Sequence, residues 1–140
     1  MKIVVDTNCF ISCIGKKSIY RNVFDAFLNG QFILCLSSEI LLEYEEKFMQ
    51  FWGKEVAINL LGTMLTAANI SLHNIFYNFL LVSKDADDNK FADTYIASSA
   101  DILVSNDSAL LSLNRNEFPA IKVITLQEFS QLLKATNDKF

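Results

Sequence analysis

Four short runs of Val, Ile and Leu constrain this chain more than any other feature. They are Lys2-Ile3-Val4-Val5, Phe32-Ile33-Leu34-Cys35-Leu36, Asp101-Ile102-Leu103-Val104-Ser105 and Ile121-Lys122-Val123-Ile124-Thr125. Each is too short to be a helix and too continuously apolar to be a strand with one wet face. Runs of this kind suit strands buried on both sides, the condition of a parallel sheet covered by helices.

The segments between them carry helical patterns. Apolar residues at 19, 20, 23, 24, 27 and 28 form a stripe of period 3.6, which predicts a helix over Ile19–Leu28, closed by Asn29-Gly30. Ser38-Glu39 opens a second, with Ile40, Leu41, Tyr44 and Phe48 on one face. Val56–Ala68 is apolar on more than one face and predicts a well-buried helix. Asp87 or Asp88 suits the N-cap of a helix through Ala92, Ile96 and Ala100. Asp107 or Ser108 suits that of a short helix through Leu111, and Thr125-Leu126-Gln127-Glu128 reads as a capping box. The aromatic segment 69–83 fits a strand or a helix equally. Strands alternating with helices imply right-handed crossovers. The expectation is an α/β three-layer sandwich, its central, mainly parallel sheet of 4–5 strands flanked by helices, in one domain over residues 1–140.

Composition narrows the function. The chain is 51% apolar and 20% charged with net charge −4, which excludes intrinsic disorder and leaves no basic tail for polyanions. A polyanionic partner would have to be met by a local patch or through bound cations. The opening apolar run reaches Asp6 too soon for a signal-peptide core, and no stretch reads as a membrane span. Cys9, Cys13 and Cys35 are odd in number and lack a disulfide pattern, so the cytoplasm is the expected compartment. Cys9 and Cys13 could share a helical face, but the single His73 is remote, so a buried-thiol role outweighs a zinc site.

Ligands of an open α/β sheet bind beyond the carboxyl ends of its strands. Asp6-Thr7-Asn8 follows the first run, and Asn106-Asp107 follows the third. Glu43 lies one turn into the helix after the second, and Asp93 lies on the helix feeding the third, on a face with Asn89 and Ala97. Each acid alone could be a cap or a solvated charge. Together, four acids distant in sequence project towards one edge of one sheet. Two unit charges about 4 Å apart repel by roughly 4 kcal/mol at an effective dielectric near 20, so such a cluster calls for a cation. Hard oxygen donors suit Mg²⁺ or Mn²⁺, which can activate water for displacement at phosphorus.

At this point the sequence resembles the PIN domain (PilT N-terminus) family of metal-dependent ribonucleases. The resemblance rests on Ile3-Val4-Val5-Asp6-Thr7-Asn8, Leu36-Ser37-Ser38-Glu39-Ile40-Leu41-Leu42-Glu43-Tyr44, Asp85-Ala86-Asp87-Asp88-Asn89-Lys90-Phe91-Ala92-Asp93 and Ala100-Asp101-Ile102-Leu103-Val104-Ser105-Asn106-Asp107. The Asp-Asp-Asn-Lys-Phe block looks like the branch of toxin components of toxin–antitoxin systems. The resemblance implies a PIN-like fold and hydrolysis of RNA phosphodiester bonds with Mg²⁺ or Mn²⁺. It makes Asp6, Glu43, Asp93 and Asp107 the catalytic quartet. Asp6 and Asp93 would be direct metal ligands, and Asp107 would bind a second ion or hold a ligand in place. Glu43 would complete the shell or orient the attacking water. Thr7, Asn8 and Asn106 would support the ligands or contact phosphate. Asp88 is secondary, because it lies about 140° round an ideal helix from Asp93 and could share a metal only as a cap outside the helix. Gly or Arg often stands in the family where this chain has Asn106.

The resemblance further implies an RNA substrate, a homodimer and a cognate antitoxin that covers the acidic groove. Lys16, Lys17, Arg21 and Lys90 are candidate phosphate-steering cations. The rival is a catalytically idle PIN-like RNA- or protein-binding module, which would gain nothing from four uncompensated carboxylates. An EF-hand loop at Asp85-x-Asp87-x-Asn89 fails, since its sixth position is Lys90 and its twelfth Ile96. A phosphotransferase with Asp6 as nucleophile lacks the second acid at Asn8, and a receiver domain lacks its paired acids and late lysine.

Overall fold

The computed structural model describes residues 1–137, so the last three residues of the expected 1–140 domain lie outside it. All four apolar runs form strands: β1 (Lys2–Val5), β2 (Ile33–Leu36), β4 (Ile102–Val104) and β5 (Val123–Ile124). The undecided aromatic segment supplies the fifth, β3 (Ile70–Leu72), followed by irregular chain. The sheet is wholly parallel in the order β3-β2-β1-β4-β5, with Ile3 opposite both Leu34 and Ile102. Ile3, Leu34 and Leu103 in its middle are fully buried, as two-sided burial requires.

Right-handed crossovers move outward from β1 to β3 and then back to β4, so the connecting helices fall on opposite faces. One face carries α1 (Thr7–Ile14), α2 (Arg21–Leu28), α3 (Ser38–Trp52) and α4 (Lys54–Leu65), while α5 (Asn89–Ser98) lies against β1, β2 and β4 from the other. The short α6 (Ser108–Leu111) follows β4, and α7 (Leu126–Asn137) packs back onto α2. There, Asn22 and Ser130 exchange hydrogen bonds and Phe129 meets Phe32 edge-on. The capping box is formed: Thr125 N–H donates to Glu128 Oε1 and Glu128 N–H to Thr125 Oγ1.

Aromatic rings fasten α1, α2 and α3 together. Phe10 stacks on Tyr44 at 4.9 Å and meets Phe24 and Phe27 edge-on. The buried Tyr44 hydroxyl donates to the Val5 carbonyl, which fixes α3 against the end of β1.

Three details differ from the sequence expectation. Residues 7–14 form α1, a helix that the sequence reading did not name, although Cys9 and Cys13 lie buried on it as the buried-thiol reading expected. The second helix begins at Arg21, leaving Ile19 outside it and 79% exposed. The expected buried helix over Val56–Ala68 is α4, which buries little beyond Ala57 and Met64. It packs mainly against α3 across the Gly53 turn (φ 84°), and Val56, Ile58 and Leu65 stay exposed.

Candidate functional site

The carboxyl ends of β1 and β4 and the starts of α3 and α5 enclose an open cleft of about 560 Å³. Asp6, Glu43, Asp88 and Asp107 line it, together with Asn8, Glu39, Glu46, Asp85, Asp87, Lys47 and Lys90. It lies where a parallel sheet places its ligands.

Asp6 follows β1 directly and is buried. The Ser105 hydroxyl donates to its Oδ2 at 2.8 Å. Burial raises its pKa, Glu43 and Asp107 raise it further, and hydrogen bonds from Ser105 and the Asn8 backbone oppose the rise. The same Ser105 oxygen accepts the Asp107 N–H at 3.0 Å. Asp107 in turn caps α6, its Oδ1 accepting from the Ala109 N–H at 2.8 Å. Glu43 forms an ion pair with Lys90.

Asp88 ends the 3-10 turn Ala86–Asp88 that leads into α5. Its Oδ2 is buried and has no hydrogen-bond partner. Burial, and then the neighbouring charges of Asp107, Asp85 and Asp6, push its pKa up to about 7. Asp88 therefore stands among the other acids because it precedes the helix.

Asp93 stands elsewhere. Five residues further on, inside α5, it faces the chain that follows β3, and its Oδ1 accepts the Phe79 N–H at 3.0 Å. It lines a separate hollow with Leu72, His73, Phe76 and Ile96. Burial raises its pKa, the Phe79 hydrogen bond opposes this, and Glu39 adds a small rise. One turn earlier, Asn89 holds Val82 by both its N–H and its carbonyl. The stripe of Asn89 and Asp93 thus clasps residues 79–82, with Leu80 held at φ 54° between the two anchors.

The remaining candidates divide in the same way. Asn8 lies on the cleft wall, whereas Thr7 is buried beneath it with its Oγ1 unpartnered. Asn106 borders a small recess shared with Asp6 and Asp107, and its Oδ1 accepts the Leu126 N–H at 3.0 Å, anchoring α7. Of the four candidate cations only Lys90 lines the cleft. Arg21 pairs with Asp25 and lies over the Phe24 ring, a structural role. Burial pushes the Cys9 and Cys13 thiols up to about 12, so both are inert. Glu39, Asp85 and Asp87 also reach the cleft. Their signals were the one-turn spacing before Glu43 and the acidic run before α5.

Among the described residues, no group of three acids, histidines or cysteines is closed enough to hold a metal ion as it stands. Three carboxylates are turned to other partners: Asp6 to Ser105, Glu43 to Lys90 and Asp107 to the start of α6. The donor chemistry nevertheless fits a hard divalent cation, since the acids are all oxygen donors and the buried Asp88 Oδ2 lacks any partner.

Comparison with known proteins agrees with this fold. A family model described as a PIN domain matches residues 2–109. The chain belongs to the PIN-domain family, whose members are in general metal-dependent nucleases. It is 30% identical over 130 residues to an uncharacterized protein of Methanocaldococcus jannaschii, covering 88% of this chain and 81% of that one. Its fold is similar to the crystal structure of VapBC2 from Rickettsia felis bound to a DNA fragment from their promoter. That match has a TM-score of 0.59 and 21% identity, over 89% of this chain and 98% of the other.

Proposed function

We propose that this chain is a metal-dependent endoribonuclease whose site is Asp6, Glu43, Asp88 and Asp107. The observation that carries the reading is the meeting of these four acids, from four separate segments, in one cleft at the carboxyl edge of the sheet. Asp88 takes the place that the sequence resemblance gave to Asp93, which is engaged with the Phe79 backbone.

Asp6, Asp88 and Asp107 would hold Mg²⁺ or Mn²⁺, with Glu43 beside them. When bound, the ion would offset the gathered negative charge and make water a better nucleophile towards phosphorus. Ser105 holds Asp6 and the Asp107 backbone in one hydrogen-bonded unit, and so sets where two of the carboxylates stand. Glu43, about a quarter exposed at the cleft wall, would orient the attacking water and accept its proton. Asn8 offers an amide to a phosphate oxygen from the same wall.

The Asp88-Asn89-Lys90 block and the fold shared with the Rickettsia felis VapBC2 assembly support the role of toxin in a toxin–antitoxin pair. In that role the chain is a cytoplasmic homodimer, and a cognate antitoxin covers the acidic cleft. Among the described residues no helix is long and apolar enough to cross a membrane. The test is cleavage of end-labelled RNA by EDTA-stripped protein with and without Mn²⁺. Cleavage only with metal supports the reading. Absence of both cleavage and metal binding favours the idle binding module.

A further inference from the structure

We propose that Lys90 is a built-in counter-charge of the acidic cleft, and that its ammonium must release Glu43 when a divalent cation enters. The proposal rests on the metal-dependent reading above and concerns what sets the metal affinity.

Eight acids line the cleft against two lysines, and the Lys90–Glu43 contact is the one ion pair at the cleft among the described residues. Lys90 is held in place. Its side chain is only 10% exposed, its Nζ donates to the Asp87 carbonyl at 2.7 Å, and the ammonium lies 5.4 Å from the centre of the Phe91 ring. A solvated surface lysine would have none of these restraints. The short 3-10 turn before α5 supplies the Asp87 carbonyl to the ammonium, and α3 supplies the Glu43 carboxylate.

Two consequences follow from charge alone. Without metal, the ammonium offsets repulsion among acids that would otherwise oppose folding of the cleft. With metal, the same positive charge repels the entering cation and withholds a Glu43 oxygen from the water beside it. Lys90 therefore keeps the metal-free site folded and makes its metal affinity modest. It is a positioning residue, acting through Glu43.

The test compares wild type, Lys90→Gln, Lys90→Arg, Glu43→Gln and the Glu43→Gln/Lys90→Gln pair, each checked for its fold by circular dichroism. In EDTA, Lys90→Gln should lower Tm by about 3 °C, and adding Glu43→Gln should recover most of that loss. In a Mn²⁺ titration followed by calorimetry, Lys90→Gln should bind about tenfold tighter than wild type. Lys90→Arg should match wild type, and the gain should shrink in the Glu43→Gln background. Unchanged or weaker Mn²⁺ binding by Lys90→Gln overturns the proposal, as does a Tm loss that Glu43→Gln leaves in place. Should Lys90→Gln fail to fold, Lys90→Met, which keeps the stem over Phe91, takes its place with the same expected gain. Wild type that binds no Mn²⁺ overturns the release of Glu43 and the metal-dependent reading together. Wild type that binds, with no difference between variants, overturns the Lys90 proposal alone.

Discussion

The hydroxyl of Ser105 donates to Asp6 Oδ2 at 2.8 Å, joining the residue that follows β4 to the residue that follows β1. Because the same oxygen accepts the Asp107 N–H, one fully buried serine orders two acids that are 101 positions apart. Replacing it by alanine leaves the buried Asp6 carboxylate and the part-buried Asp107 N–H each short of a bond. Ser105→Ala should lose about 1–3 kcal/mol of stability. Metal affinity, read from Mn²⁺ titration, should fall about tenfold or more. Ser105→Thr, which keeps the hydroxyl, should bind metal more tightly than Ser105→Ala.

The pH dependence of the metal-free protein follows from Asp88. Its folded pKa of about 7 lies above the ordinary 3.8, so the folded chain holds this proton more tightly than the unfolded chain. The resulting stability is fully present below the unfolded value and is lost as pH rises through about 7. Asp6 shifts in the same direction. In EDTA, Tm should therefore fall by about 5 °C between pH 5.5 and 8. Asp88→Asn should flatten this slope, and a melting series across the window reads both.

Stability should also separate the two candidate acids of the α5 region. Asp88→Asn removes a buried charge lacking a partner at one oxygen, so the metal-free protein should gain about 1–2 kcal/mol at pH 8. Asp93→Ala removes the acceptor of the Phe79 N–H and should cost about 1–2 kcal/mol. Hydrogen exchange at the Phe79 and Val82 amides should accelerate in Asp93→Ala and stay unchanged in Asp88→Asn.

Much of this was readable in the sequence wherever one local force decides the outcome. Continuous apolar runs need two-sided burial, which fixed four of the five strands, and the Thr125–Glu128 box acts within a single turn. That Asp6, Glu43 and Asp107 share one cleft was legible because strand ends and the helix starts beyond them point to one edge. Asp88 and Asp93 were not separable that way. Their order depends on a 3-10 turn placing Asp88 ahead of the helix, and on residues 79–82 claiming Asp93. The exposure of α4 was also hidden, because an apolar helix reads as buried until its packing partners are known.

The most direct test of the central claim is cleavage of end-labelled cellular RNA by wild type, Asp6→Asn, Asp88→Asn and Asp93→Asn in Mn²⁺. Asparagine at 93 can still accept the Phe79 N–H, so that variant should keep cleavage within about threefold of wild type. Asp6→Asn and Asp88→Asn should lose it by about a hundredfold or more. Full activity in Asp88→Asn together with its loss in Asp93→Asn would contradict the assignment of the acidic cleft as the nuclease site.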